Sequence, residues 1–239
     1  VQGTAGESVT FKSYDDVTPY NSDWYGIIIK NPSVQSTINY ATIKHAFFGI
    51  YIYNSSPYVA NCVFDSNTVG IRAEGETTAA VINGNHIRRN SYGGIWAIYG
   101  ARPVLTNNLI TSNWTVVFIS SGAAPVLGDL SDVSTANDGN NAILNNMPVL
   151  GDYDVENMSI SAIKAENNYW GTTLSAGIAA NIFDSSDSNV YGAVDFEPYL
   201  LEVARTTRKN GIGLLVADQV PSELPSALLG NLGPRMVLR

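Results

Sequence analysis

Lys44, Asp65 and Arg88 stand at matching offsets within three similar phrases, ATIKHA from Ala41, NCVFDSN from Asn61 and GNHIRRN from Gly84, and His86 lies two residues before Arg88. A carboxylate beside a cation, with an imidazole that titrates near neutrality, is a set that can move protons. The same four residues also read as a surface ion-pair ladder, which contributes little. A second group, Tyr51, Tyr53, Arg72, Trp96 and Phe118, places aromatic rings and one guanidinium at the same step along the chain. On an outward face such rings suit ring-shaped, hydroxylated ligands, because exposed apolar strips tend to mark contacts. A covering loop, the C-terminal segment or a second subunit would explain the strip equally, and Arg72 beside Trp96 reads as a cation–π pair. A third group, Asp129, Asp132 and Asp138 in GDLSDVSTANDG, offers oxygen ligands for Ca²⁺, although its spacing is not that of an EF-hand and a solvated turn is the alternative. Asp15 and Asp16 are adjacent, so on a strand they point to opposite sides.

These residues need a scaffold, and the sequence supplies one by repetition. Aligned on Ile43, Phe64, Ile87 and Ile110, the phrases recur after 21, 23 and 23 residues. Each is preceded by a short apolar strand (PYVA, AAVI, PVLT) and followed by a longer one (GIYIY, GIRAE, GIWAI). A unit this short cannot bury its own apolar face, but stacked copies enclose a continuous core. Alternation then predicts three inward columns: Val59, Ile82, Leu105 and Leu127; Phe64, Ile87 and Ile110; Ile50, Ile71, Ile95 and Val117. The last asparagine of each phrase, at 67, 90, 113 and 146, is expected at the turn, where Asn tolerates left-handed angles and can bond its stacked copies. Asn85, Asn108 and Asn141 are expected to form a second ladder inside. The outward third-sheet row runs Ile28, Tyr51, Arg72, Trp96, Phe118, with Lys30, Tyr53, Glu74, Ile98 and Ser120 beside it.

These coils, with AENNYWG at 165–171 and VDFEPYL at 194–200, resemble right-handed parallel β-helix proteins of the pectate-lyase-like superfamily, most of all extracellular bacterial repeat proteins with an Asn-Asn-Tyr-Trp-Gly closing coil. The resemblance implies an all-β chain with three strands per coil over residues 1–200, and a C-terminal cap or tail over 201–239. It implies polysaccharide as partner and an extracellular or cell-surface setting. Lyases of that fold combine Asp-held calcium with an Arg or Lys base, and its galacturonan hydrolases use clustered Asp with a His. Neither motif is matched residue by residue here. Three functions stay open: glycan binding, lyase or hydrolase action on an acidic glycan, and a stalk or adhesin without catalysis.

Composition narrows the partners. A charge of −8 with no compensating basic tract disfavours nucleic acid, and no apolar run is long enough for a membrane span. The opening VQGTAGESVTF lacks the basic and apolar regions of a signal peptide. The single cysteine, Cys62, alternates with Phe64 and is expected to be an inert buried thiol. Two histidines, His45 and His86, do not suggest a transition-metal site. A homo-oligomer joined through the aromatic strip is a further expectation. Beyond residue 200, Ser222 and Gly230 bracket a short expected helix, and Arg205, Arg208 and Lys209 read as a turn.

Overall fold

The computed structural model describes residues 1–14, 18–30, 35–144 and 153–200. Three parallel sheets wrap one core, and each coil visits them in the same order. Sheet A stacks seven strands, among them Tyr58–Ala60, Val81–Asn83 and Val104–Thr106; sheet B stacks six, among them Ala41–Lys44, Val63–Asp65 and His86–Arg88; sheet C stacks seven, among them Phe48–Tyr53, Val69–Glu74 and Gly93–Ile98. Sequence neighbours are never sheet neighbours. Each strand pairs with the strand one coil away, so a periodic sequence produces identical rungs in register: Ile43 opposite Phe64, Phe64 opposite Ile87, Ile87 opposite Ile110 and Ile110 opposite Ile143.

The three expected inward columns are fully buried, with Val59, Ile82, Leu105, Leu127, Phe64, Ile87, Ile110, Ile50, Ile71, Ile95 and Val117 all at zero exposure. Each such side chain contributes about 1.5–3 kcal/mol. Every corner of the prism needs a backbone reversal, and a column of left-handed residues supplies it. Tyr40, Asn61, Gly84, Asn107, Asn140 and Asn167 turn sheet A into sheet B, and His45, Ser66, Arg89 and Ser112 turn sheet B into sheet C.

That placement corrects the expectation for the closing asparagines. The left-handed residue is the one before them, at positions 66, 89 and 112. Asn67, Asn90 and Asn113 turn inward and are at most 1% exposed. There they do form a ladder, with the Asn67 Nδ2 donating to Asn90 Oδ1 at 3.1 Å and the Asn90 Nδ2 to Asn113 Oδ1 at 2.8 Å. The reason is geometric: once the preceding residue has reversed the chain, the next side chain faces the axis, where an amide can also satisfy stranded corner carbonyls such as Ile43 O and Ile87 O. A Cβ on Gly70 would stand 2.6 Å from Gly94 O on the next rung and 3.1 Å from the ladder amide Asn90 Nδ2, which explains the glycine that opens each GIYIY-type phrase.

The second expected ladder runs through Asn85, Asn108 and Asn141 and continues to Asn168, so the second asparagine of AENNYWG is its last rung. Cys62 occupies the same column one coil earlier: it donates its N–H to Asn85 Oδ1 at 2.9 Å, and its sulfur accepts Ala41 N–H at 3.4 Å. Burial pushes its thiol pKa upward, as fits an inert group. Trp170, 4% exposed, closes the core against Phe196. Asp15, Asp16, Asn146 and everything placed at 201–239, including Arg205, Arg208, Lys209, Ser222 and Gly230, lie outside the described residues.

Candidate functional site

Pairing brings the predicted aromatic set together on sheet C. Ile28 faces Tyr51, Tyr51 faces Arg72, Arg72 faces Trp96, and Trp96 faces Phe118 on consecutive rungs. Glu156 and Phe183 continue the row. These last two escaped the sequence reading because the 129–138 insertion breaks the period before their coils. Seven rungs about 4.8 Å apart make a strip of roughly 29 Å.

The strip has two unlike halves. In the first, Glu74 Oε2 accepts the Tyr51 hydroxyl at 2.8 Å and the Arg72 Nε at 2.9 Å, and it forms an ion pair with the same guanidinium at 2.6 Å. Burial, then the bond to Glu74, pushes the Tyr51 phenol up to about 12. Arg72 lies over Phe48 and Tyr51, with its guanidinium carbon 5.1 and 5.2 Å from the ring centres. The cation–π partner expected for it was Trp96; the carboxylate of Glu74 draws it the other way. The Lys30 ammonium stands 5.8 Å from the centres of both Tyr51 and Tyr53.

In the second half, Trp96 packs between Tyr92, 5.5 Å away and edge-on, and Phe118 at 5.7 Å. The indole rests on Gly93, where a Cβ would come within 2.6 Å of Trp96 Nε1. Trp96 and Phe118 remain partly exposed, whereas Ile98 of the neighbouring row is only 6% exposed and drops out of the accessible face. At the edge of the strip Tyr53 and Tyr99 flank an open groove of about 580 Å³, floored by Asn54, Glu74, Gly75, Glu76 and Thr77. Tyr99, Glu76 and Thr77 sit in corner segments outside the repeated phrases, so no periodic signal marked them.

On sheet B, Lys44, Asp65, Arg88 and Thr111 occupy consecutive rungs of one outward row, and His86 lies two residues before Arg88. Asp65, 2% exposed, is sequestered. It accepts the Arg88 Nε at 3.2 Å, the Arg89 Nε at 2.8 Å, the Arg89 Nη2 and the Ser66 hydroxyl at 2.9 Å. Burial alone would raise its carboxyl, but the bonds from Arg89 and Ser66 and the charge of Arg88 hold it at about 2. It is an ionised anchor at neutral pH. Arg89 was missing from the sequence-derived set because, on a strand, it would have pointed away from Asp65; the left-handed corner turns it back.

In the insertion, Asp129 Oδ1 accepts the Ser131 N–H and hydroxyl at 3.0 and 2.5 Å, and Asp132 accepts the Ser134 N–H at 2.7 Å and Asn137 Nδ2 at 3.1 Å. Burial, then the charges of Asp132 and Asp129, raises the Asp138 carboxyl. No group of three or more His, Cys, Asp or Glu side chains among the described residues is arranged to hold a metal ion. The oxygens of Asp129 and Asp132 thus close local turns with Ser131, Ser134 and Asn137.

A family model described as "Right handed beta helix region" matches residues 13–147, more than half of the chain. No curated protein and no solved structure matches it in the same comparisons. No helix among the described residues is long and apolar enough to cross a membrane.

Proposed function

The chain belongs to the right-handed β-helix family, and on that scaffold we propose that sheet C is a binding face for an extended polysaccharide, displayed outside the cell or on its surface. The observation that carries this reading is Trp96 between Tyr92 of its own coil and Phe118 on the next rung, partly exposed and preset against Gly93. Rigid rings at rung spacing offer apolar faces to sugar rings, while Tyr51, Tyr53, Arg72 and the groove floored by Asn54 and Thr77 offer polar groups to hydroxyls. The preset indole reduces the ordering cost of binding.

Affinity electrophoresis over plant, algal and bacterial glycans is the test. Retention of the parent that falls for Trp96→Ala and Tyr51→Ala supports the reading; equal migration of parent and variants on every glycan ends it. Action as a lyase or hydrolase through Lys44, Asp65, His86 and Arg88 is the competing proposal. It requires new reducing or unsaturated ends from an acidic glycan, assayed with and without chelator. A stalk or adhesin, or a copy of the chain joined through the strip, would instead give protein or self-association without glycan retention.

A further inference from the structure

Asp65 has more cation than it needs. Its two oxygens accept three nitrogens from Arg88 and Arg89 together with the Ser66 hydroxyl, and Lys44 occupies the preceding rung of the same outward row. Three positive side chains against one carboxylate leave a surplus of two on a chain whose formal charge is −8. Thr42, Val63, His86, Leu109 and Thr111, the neighbouring outward positions of the sheet among the described residues, bring no second carboxylate to offset that surplus.

Both guanidiniums meet Asp65 through Nε and Nη2, which leaves the Nη1 groups pointing elsewhere. The side chains are 36% exposed for Arg88 and 56% for Arg89, while that of Asp65 is 3% exposed, so the carboxylate is the fixed base and the arginine side chains reach solvent. Arg89 holds a left-handed angle, φ 54°, at a corner where adjacent coils carry Ser66 and Ser112. A carboxylate ligand has two oxygens in one plane and is matched by a single fork. Two anchored guanidiniums offering their Nη1 groups, with an ammonium, spread over two rungs and a corner, match the three oxygens of a tetrahedral group better.

We propose that Lys44, Arg88 and Arg89, anchored by buried Asp65, form a binding site for a tetrahedral oxyanion, a sulfate or phosphate ester carried on a polymer. The site lies on sheet B and stands or falls independently of the aromatic strip on sheet C.

The test compares retention of the intact chain on dextran sulfate, phosphorylated dextran, polygalacturonate and uncharged dextran across a salt series. Retention by dextran sulfate, phosphorylated dextran or both, above polygalacturonate and plain dextran, is expected, and which of the two is preferred identifies the ester. Lys44→Gln and Arg89→Gln should each weaken that binding about tenfold and flatten its salt dependence. Lys44 lies outside the Asp65 pair, so its variant stays informative should Arg89→Gln fail to fold. Equal retention on polygalacturonate, no retention above plain dextran, or an unaltered Lys44→Gln variant would overturn the proposal.

Discussion

Asn85 directs both its main-chain N–H and its side-chain amide to one atom, the Oδ1 of Asn108, each at 3.0 Å. Asn108 repeats the arrangement toward Asn141 while its own Nδ2 satisfies Ile82 O at 2.8 Å. The column has no solvent exposure at Asn108 and Asn141, so every lost partner becomes a buried unsatisfied group. Asn108→Leu strands the Asn85 main-chain N–H and the Ile82 carbonyl and leaves Asn85 Nδ2 only its bond to Val59 O, and is expected to destabilise the fold by at least about 3 kcal/mol, read as a lowered urea midpoint. A loss below about 1 kcal/mol would show that water reaches the column.

Cys62 is the natural place to lengthen that ladder. Its main chain already donates to Asn85 Oδ1, and its sulfur already accepts from Ala41. Cys62→Asn should place a stronger acceptor before Ala41 N–H and a new donor near Ile38 O, the carbonyl its thiol now approaches at 3.7 Å. The expected outcome is a Tm equal to or above that of the parent, whereas Cys62→Leu should lower it by leaving Ala41 N–H unpaired.

Asp65 carries an acid dependence. Its carboxyl is held at about 2 in the fold, below its ordinary value of 3.8, so the stabilisation is complete above the ordinary value and is lost as pH falls through the folded one. Between about pH 4 and pH 2 the parent should lose on the order of 1–2 kcal/mol from this group, a figure reduced by the exposure of both arginines. Asp65→Asn should be less stable at neutral pH and lack that acid-dependent component, as chemical denaturation at several pH values would reveal.

Gly93→Ala separates ring position from ring identity. The added methyl would stand 2.6 Å from the Trp96 indole nitrogen, and the ring must swing away. If the preset indole carries glycan binding, this variant should weaken retention about tenfold, near 1.4 kcal/mol, while keeping every aromatic residue and the parent circular dichroism. Unchanged retention with a displaced tryptophan fluorescence signal would show that the indole's position is immaterial.

Much of the scaffold was legible because stacking copies local chemistry. A solenoid pairs each residue with its counterpart one period away, so apolar columns, the Asn85–Asn108–Asn141 ladder and the Ile28-to-Phe118 row all follow from counting. Counting failed where period and environment part company. Cys62 hides a ladder position because it does not look like asparagine, and the 33-residue step from Ile110 to Ile143 across the insertion obscures the rungs that carry Glu156 and Phe183.

By itself, the sequence determined the prism: the period, the three inward columns and the face each outward residue would share. Only the tertiary structure decided partnership. Whether Arg72 lies over Trp96 or reaches Glu74, and whether Arg89 points away from Asp65 or folds back upon it, depends on corner angles and on competition among charges within a few ångströms. Burial is set additively by every residue in a repeat, but a side chain's partner is chosen by fractions of a kcal/mol in a three-dimensional neighbourhood that periodicity does not encode.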